Sequence, residues 1–253
     1  MRKLGENLRL RRSTVQGAGQ GLPDRLGYYG TGVVRRAGDH PLIYRFWFRY
    51  IKKRVALGAR FLEIGCGPGH LLRRFQRSYR GFGLDLSIYA AEQARFASDR
   101  PTICGDARGL PFLPGCFEFA VALDVVEHVA QPEQVLEELF RVCKPSALLI
   151  LSTPNPDSIG RKWKKKAWFG HRDTTHVMIQ QDWFWRRLFA DSGWHVVEAG
   201  TSSLWDPPYF RWVPRLIQFL VFHAISYVTE CFTAIVPWRF GENLVYVLKK
   251  PAP

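Results

Sequence analysis

Paired cysteines are missing from this sequence. Its five cysteines, Cys66, Cys104, Cys116, Cys143 and Cys231, are scattered, odd in number and never spaced as CxxC. That pattern excludes a disulfide framework and a zinc-finger spacing, so no metal is assigned from the sequence. It fits a reducing compartment, the cytoplasm. Acids are scarce: 22 Asp and Glu stand against 36 Lys and Arg, and the net charge is +14. Such a balance favours polyanionic neighbours, either nucleic acid or an anionic membrane surface, and says nothing of fold. The excess is uneven. Residues 1–54 hold only Glu6, Asp24 and Asp39 as acids, and a second basic cluster stands at Arg161, Lys162, Lys164, Lys165 and Lys166. Uninterrupted apolar runs are also lacking. Met1–Arg12 is basic with no apolar core or cleavage site after it, so no secretory signal is expected. The apolar stretch Leu216–Val236 is broken by Gln218, His223, Ser226, Thr229, Glu230 and Thr233. A spanning helix needs about 20 predominantly apolar residues. His223 and Glu230 would be costly in the bilayer, so a span is rejected. Internal repeats and low-complexity tracts are absent, which excludes a solenoid.

What remains is a chain of 253 residues, 47% hydrophobic and 14% aromatic. That is enough for one substantial domain with additions, and too apolar for wholesale disorder. Met1–Asp39, rich in glycine and arginine, reads as an irregular arm. Pro41–Leu57 reads as a helix, with Ile43, Phe46, Trp47, Tyr50 and Ile51 at helical spacing. From Ala59 onward short apolar runs alternate with helical stretches. Strands are expected at Arg60–Ile64, Gly81–Leu86, Thr102–Cys104, Phe117–Leu123 and Ala147–Leu151. Helices are expected through Leu71–Phe75 and over Ala90–Ala97 and Pro132–Val142. Pro154–Gln181 is polar, basic and aromatic and breaks the rhythm. Asp182–Ser192 resumes as a helix, Trp194–Ala199 and Leu244–Lys249 as strands, with the apolar helical Trp212–Trp238 between them. Continuous apolar strands alternating with helices predict an α/β fold: a Rossmann-like, seven-stranded, mostly parallel sheet with helices on both faces. To it are added an N-terminal helical arm and an apolar helical insertion before the last strand. The expected division is 1–57 for the basic arm and helix and 58–253 for the main domain. Within the latter, 58–153 holds the first five expected strands, 154–181 is the polar, basic and aromatic segment and 204–240 the insertion.

The sharpest local signal is Glu63-Ile64-Gly65-Cys66-Gly67-Pro68-Gly69, between a strand and a helix. Glycines let the backbone turn tightly and a ligand approach it closely. The helix start that follows presents unpaired N–H groups to an anion. The dinucleotide fingerprint G-x-G-x-x-G needs glycine at position 70, which here is His70. The turn instead resembles the E-x-G-x-G-x-G motif of class I S-adenosylmethionine-dependent methyltransferases. Gly83-Leu84-Asp85-Leu86-Ser87, Gly105-Asp106-Ala107, Phe117–Val129 and Val142-Cys143-Lys144-Pro145 follow in that family's order, over about residues 55–155. The resemblance leans to the small-molecule and lipid branch, which includes quinone-biosynthesis enzymes. It implies S-adenosylmethionine as cofactor. Glu63, Gly65, Cys66, Gly67 and Gly69 would shape the methionine end. Asp85 would hold the ribose, Leu86 would pack near the adenine, and Asp106 with the Ala107 amide would read the adenine edge. Leu123 and Asp124 would close the pocket from below. Taken singly, Asp124 also reads as a helix cap and Glu127 as a solvated acid of a first helical turn.

A cofactor of this kind carries the hard chemistry, and the protein supplies orientation and, for an oxygen or nitrogen acceptor, a base. His171, Asp173 and His176 stand together in a segment similar to the D-P-T-H-V segment of some methyltransferases, with Thr174 in place of proline. His176 leads as base; His128 is a further candidate. Ordering of the loop by hydrogen bonds is the competing reading for His176 and Asp173. The expected acceptor is a small molecule or lipid-like compound, methylated at oxygen. The Leu216–Val236 stretch reads either as a cap over the substrate pocket or as a peripheral membrane contact edged by Trp205, Trp212, Arg215, Trp238 and Arg239, and the basic, aromatic Tyr44–Val55 and Lys162–Trp168 lean to the membrane. The competing expectations are an RNA methyltransferase, favoured by the charge, and a catalytically silent cofactor-binding protein. Nucleic acid is the weaker partner, since no RNA-binding module and no N-P-P-Y-type motif is present.

Overall fold

A computed structural model of the chain describes residues 41–202, 204, 207–232 and 240–252. The expected arm at 1–39, Trp205, Trp238, Arg239 and the end of the apolar stretch lie outside these residues. Chain order runs α1 (Pro41–Lys52), β1 (Arg60–Ile64), α2 (His70–Phe75), β2 (Arg80–Asp85), α3 (Ile88–Ser98), β3 (Thr102–Cys104), β4 (Phe117–Leu123), a 3₁₀ turn (Val126–His128), α4 (Pro132–Val142) and β5 (Cys143–Pro154). It continues through α5 (Ile159–Lys164), α6 (Phe169–Arg172), α7 (Asp182–Asp191), β6 (His195–Thr201), α8 (Arg215–Phe232) and β7 (Asn243–Lys249).

The seven strands form one sheet in the order β3-β2-β1-β4-β5-β7-β6. The first five are parallel, while β7 runs antiparallel to both β5 and β6. The expected mostly parallel, seven-stranded Rossmann-like sheet is therefore what the chain forms. Alternation along each strand divides the core into two layers, as a pleat requires. Leu62, Ile64, Leu149, Leu151, Leu244, Tyr246 and Leu248 face one layer, with Leu136 and Leu139 of α4 and Trp185 and Phe189 of α7. Phe61, Val121, Leu148, Ile150, Val245 and Val247 face the other, with Leu71, Leu72 and Phe75 of α2 and Trp47, Tyr50 and Ile51 of α1. Phe61 and Phe119 stack at 4.8 Å in that second layer.

Three expected boundaries move. Helix α1 ends at Lys52, because the Val55 and Arg54 amides both turn back onto the Ile51 carbonyl. Strand β5 is twelve residues long and not the five of Ala147–Leu151. Its end, Ser152–Pro154, is drawn out by pairing with Val245–Asn243 of β7. Pro154–Gln181 is not wholly irregular; α5 forms where the Ser158 side chain accepts from the Arg161 amide and caps it.

From β1 the sheet grows one way through β2 and β3 and the other way through β4 and β5. The crevice at the carboxyl ends of β1 and β4 is the topological switch point, where open α/β sheets bind ligands.

Candidate active site

The glycine turn opens that crevice. Gly65, Gly67 and Gly69 all have positive φ. Gly69 is held by packing as well: a Cβ there would stand 2.7 Å from the Ala94 Cα of α3. The turn is fastened to β2 by one carboxylate. Asp85, 4% exposed, accepts from the Gly67 amide at 2.9 Å and from the Ser87 amide at 2.8 Å. The glycine turn and the end of β2 are thus one unit. Glu63 is buried at the end of β1. Burial pushes its carboxyl well above the usual range against the opposing bond from the Leu72 amide, and Oε2 has no hydrogen-bond partner.

The other residues predicted for the cofactor lie at or just past the carboxyl ends of β2, β3 and β4. Leu86 is 41% exposed, in a row of apolar surface with Ile88 and Tyr89. Asp106 is half-buried and clasped by Arg108, whose Nε and guanidinium NH₂ reach both carboxylate oxygens at 2.6–3.1 Å. That hydrogen bonding holds the Asp106 carboxyl below its ordinary value. Ala107 and Leu123 are half-buried. Cys66 differs from its neighbours in the turn. Its thiol lies in the second core layer, where burial pushes its pKa up, and donates to the Gly67 carbonyl at 3.8 Å.

A second group of side chains stands next to the turn. Val125 covers Gly65, where an added Cβ would lie 2.4 Å from Val125 Cγ2. Asp124, at φ 53, accepts from Ser152 Oγ at 2.8 Å and from Asn243 Nδ2 at 2.6 Å. It therefore braces the ends of β4, β5 and β7. The Glu127 carbonyl accepts the Val177 and Met178 amides, both at 2.9 Å, and so pins the segment after α6 to the 3₁₀ turn. This brings His176 to His128, with ring centroids 4.7 Å apart. His176 Nδ1 lies 2.8 Å from the Gly170 carbonyl and Nε2 lies 3.9 Å from Asp173. His128 Nδ1 lies 2.8 Å from Thr175 Oγ1, which donates to Asp173 at 2.5 Å. Burial, with His176 adding to it, pushes the His128 imidazole down to about 4.

Of the four expected bases the structure gathers three: His176, Asp173 and His128. His171 is exposed and packs edge-on against Trp168 at 5.1 Å. Glu127 departs from the solvated reading. It is fully buried, and burial, with Asp124 adding to it, raises its pKa well above the ordinary value. Sequence reasoning also missed Asn243, Ser152 and Thr175, whose roles depend on strand neighbours distant in sequence. Glu242, fully buried, was missed too. It accepts from Trp168 Nε1 at 2.8 Å and Tyr209 OH at 2.6 Å and ties α5–α6 and the segment before α8 to β7. A buried carboxylate between a tryptophan and a tyrosine leaves no local sequence signal.

These residues fit S-adenosylmethionine. The turn supplies close backbone approach, Asp85 supplies acceptors at the crevice, and the apolar row at Leu86 supplies a face for a flat ring. Comparison with known proteins agrees. The profile of the methyltransferase-domain family matches residues 40–199. The malonyl-[acyl-carrier protein] O-methyltransferase of Legionella pneumophila is 30% identical over 125 residues, 47% of this chain and 43% of that protein. A chain of the complex between the Haloferax volcanii Trm112 methyltransferase activator and a methyltransferase superimposes with a TM-score of 0.65 at 20% identity, over 91% of this chain and all of that one. An S-adenosylmethionine-dependent methyltransferase from Archaeoglobus fulgidus gives 0.62 at 17% identity, over 88% of this chain and all of that one. The chain belongs to the methyltransferase-domain family, with the class I fold. S-adenosylmethionine is the cofactor this membership carries. The matched segment spans less than half the length of the first curated relatives.

Proposed function

We propose that the protein transfers the methyl group of S-adenosylmethionine to a hydroxyl of a small, lipid-like acceptor. The observation that carries this reading is the polar group Asp124, His128, Asp173 and His176, held next to the glycine turn at the carboxyl ends of the strands. When bound, the cofactor supplies an electrophilic methyl group. The chain's own residues then have two tasks. Glu63, Gly65, Gly67, Gly69 and the Cys66 backbone seat the methionine end. Asp85 accepts from the ribose hydroxyls, Leu86 packs on the adenine, and Asp106 with the Ala107 amide meets its edge. Leu123 and Asp124 floor the pocket. On the acceptor side, a carbonyl can only accept, so His176 Nδ1 carries the proton shared with Gly170. The Nε2 lone pair is left to take the acceptor's proton. Asp173 and His128 position that ring.

A lipid-like acceptor is supported by the surface beyond the site. Among the described residues of α8, Leu216, Ile217, Leu220, Val221, Ile225 and Val228 are 49–68% exposed. None of the described helices is long and apolar enough to cross a membrane. Next to α8 stands the basic cluster. Trp163 packs on Phe210 at 4.8 Å, Lys164 lies 4.5 Å over the Tyr209 ring, and Tyr209 packs on Phe222 of α8 at 4.7 Å. An apolar helix face flanked by lysines suits the interface of an anionic membrane.

Label transfer tests the reading. Protein, methyl-labelled S-adenosylmethionine and a lysate of the source cells are incubated and partitioned. Label in the organic phase is expected. Label in the aqueous phase alone turns the acceptor to RNA, sugars or polar metabolites, and no transfer at all leaves a binding protein. Sedimentation with phosphatidylglycerol vesicles tests the surface: salt-sensitive binding is expected, and binding no stronger than to phosphatidylcholine vesicles refutes it.

A further inference from the structure

Glu127 has no part in the proton path just described, yet it is the least satisfied side chain of the site. It is fully buried, and neither carboxyl oxygen has a hydrogen-bond partner. Thr153 Oγ1, also buried, stands beside it without a bond of ordinary geometry. Buried carboxyl groups persist when they are neutralised by a proton, paired, bonded or bound to a cation. Here one ligand atom each from Glu127, His128 and His176 lies within 4.8 Å of the others.

Both rings are set in one tautomer. His176 Nδ1 meets the Gly170 carbonyl, which only accepts. Thr175 has one hydroxyl proton and gives it to Asp173, so toward His128 it accepts, and His128 Nδ1 carries the proton. Each Nε2 therefore bears a lone pair. Imidazoles held through Nδ1–H by a carbonyl and by a hydroxyl–carboxylate relay have the outer support that metal-binding histidines almost always have. We infer that Glu127, His128 and His176 form a site for one divalent transition-metal ion of the zinc type. Two imidazoles and a carboxylate suit such an ion, with bonds of about 2.0–2.2 Å, and leave coordination positions open. The donor spacing of up to 4.8 Å is wider than that geometry, so the three side chains draw together on binding. The ion would balance the buried Glu127 charge. Its catalytic consequence rests on the reading above: with the ion bound, His176 is a ligand, and an acceptor hydroxyl at an open position is acidified by the ion.

The test needs no acceptor. Protein freed of metal by a chelator is titrated with Co(II), read by visible absorption, and then with Zn(II) as competitor. One Co(II) per chain, displaced by Zn(II), is expected. His128→Ala and His176→Ala abolish the absorption, and Asp173→Asn weakens affinity by about 10–100-fold. Calorimetry with S-adenosylmethionine shows that each variant remains folded. No Co(II) signal in the wild type, or a signal that survives both histidine variants, overturns the inference. Loss of turnover in His176→Ala without metal binding leaves the base role and removes the ion. Metal binding without label transfer upholds the ion and removes the transferase reading.

Discussion

Replacing Asp85 separates two roles that the structure assigns to one carboxylate. Its oxygens fasten the glycine turn through Gly67 and begin α3 through Ser87. The proposed ribose contact adds two hydroxyl donors to the same oxygens. Hydrogen bonds to a charged group are worth about 1.5–3 kcal/mol each. Losing two costs about 3–6 kcal/mol, or about 10²–10⁴-fold in cofactor affinity. Asp85→Ala also strands the buried Ser87 amide, at about 1–3 kcal/mol of stability. The alanine variant is therefore expected to lose both affinity and thermal stability. Asp85→Asn retains one carbonyl oxygen for one of the two amides and forfeits the charge. Its stability should fall less, while its affinity still falls by about tenfold or more. Calorimetry with S-adenosylmethionine, beside urea unfolding of the ligand-free protein, reads the two effects apart. Wild-type affinity in Asp85→Asn, with loss only in the alanine variant and in step with its stability, would refute the ribose contact and leave Asp85 a loop fastener.

Three further outcomes are expected. Gly69→Ala forces a left-handed backbone on a residue with a Cβ and drives it against Ala94, so urea unfolding should show a loss of about 2–5 kcal/mol; an unchanged midpoint would contradict the packing. Tyr209→Phe removes a donor from the buried Glu242 and should cost about 1.5–3 kcal/mol, with earlier proteolysis between 156 and 215 than in the wild type; equal stability would mean that Glu242 is not the staple. Glu118 is raised by burial but lowered more by Lys144 and the Arg60 amide, so its folded pKa lies below its unfolded value. Its stabilisation is present above the unfolded pKa and lost as pH falls through the folded one. The side chain is partly exposed, so Glu118→Gln should cost only about 0.5–1 kcal/mol at pH 7 and progressively less as pH falls through the folded pKa; a pH-independent difference would remove the ion pair as its cause.

What was legible in the sequence tracks the distance over which each constraint acts. The glycine turn and Asp85 lie in short strand–turn–helix units and Asp106 lies just past the end of β3, where glycine spacing and strand-end acids are local signals. The strands of the parallel half were readable because burial on both faces makes each a continuous apolar run. The carboxyl end of β5 was not, since Thr153 and Pro154 are paired with β7, some ninety residues later, and not with β4. Glu127 was open to a solvated reading because nothing in Val125–Val129 states that the segment around Val177 will lie across it. His171 and His176 are indistinguishable as neighbours on one loop. The structure separates them by the short α6, which sends His171 to Trp168 and leaves His176 beside His128.

The antiparallel pair of β6 and β7 joins these two ranges of constraint. Strand β7 completes the sheet through Leu244–Leu248 and brings two polar residues with its first turn: Asn243, bonded to Asp124, and Glu242, bonded to Trp168 and Tyr209. The group around Asp124 and the aromatic, basic surface leading to α8 are therefore braced by adjacent residues at the start of β7. The cofactor turn has its own brace, Asp85, two strands away on the other side of β4. On the proposed reading, substitutions among the described residues of 156–232 should remodel the acceptor side while the cofactor side keeps its geometry. The exception is the segment that carries His176. It is fastened to the 3₁₀ turn through the Glu127 carbonyl, and that turn follows directly on Val125 over Gly65. A displacement of the acceptor loop should therefore be felt at Gly65 before it is felt at Asp85, and so at the methionine end of the cofactor before its ribose.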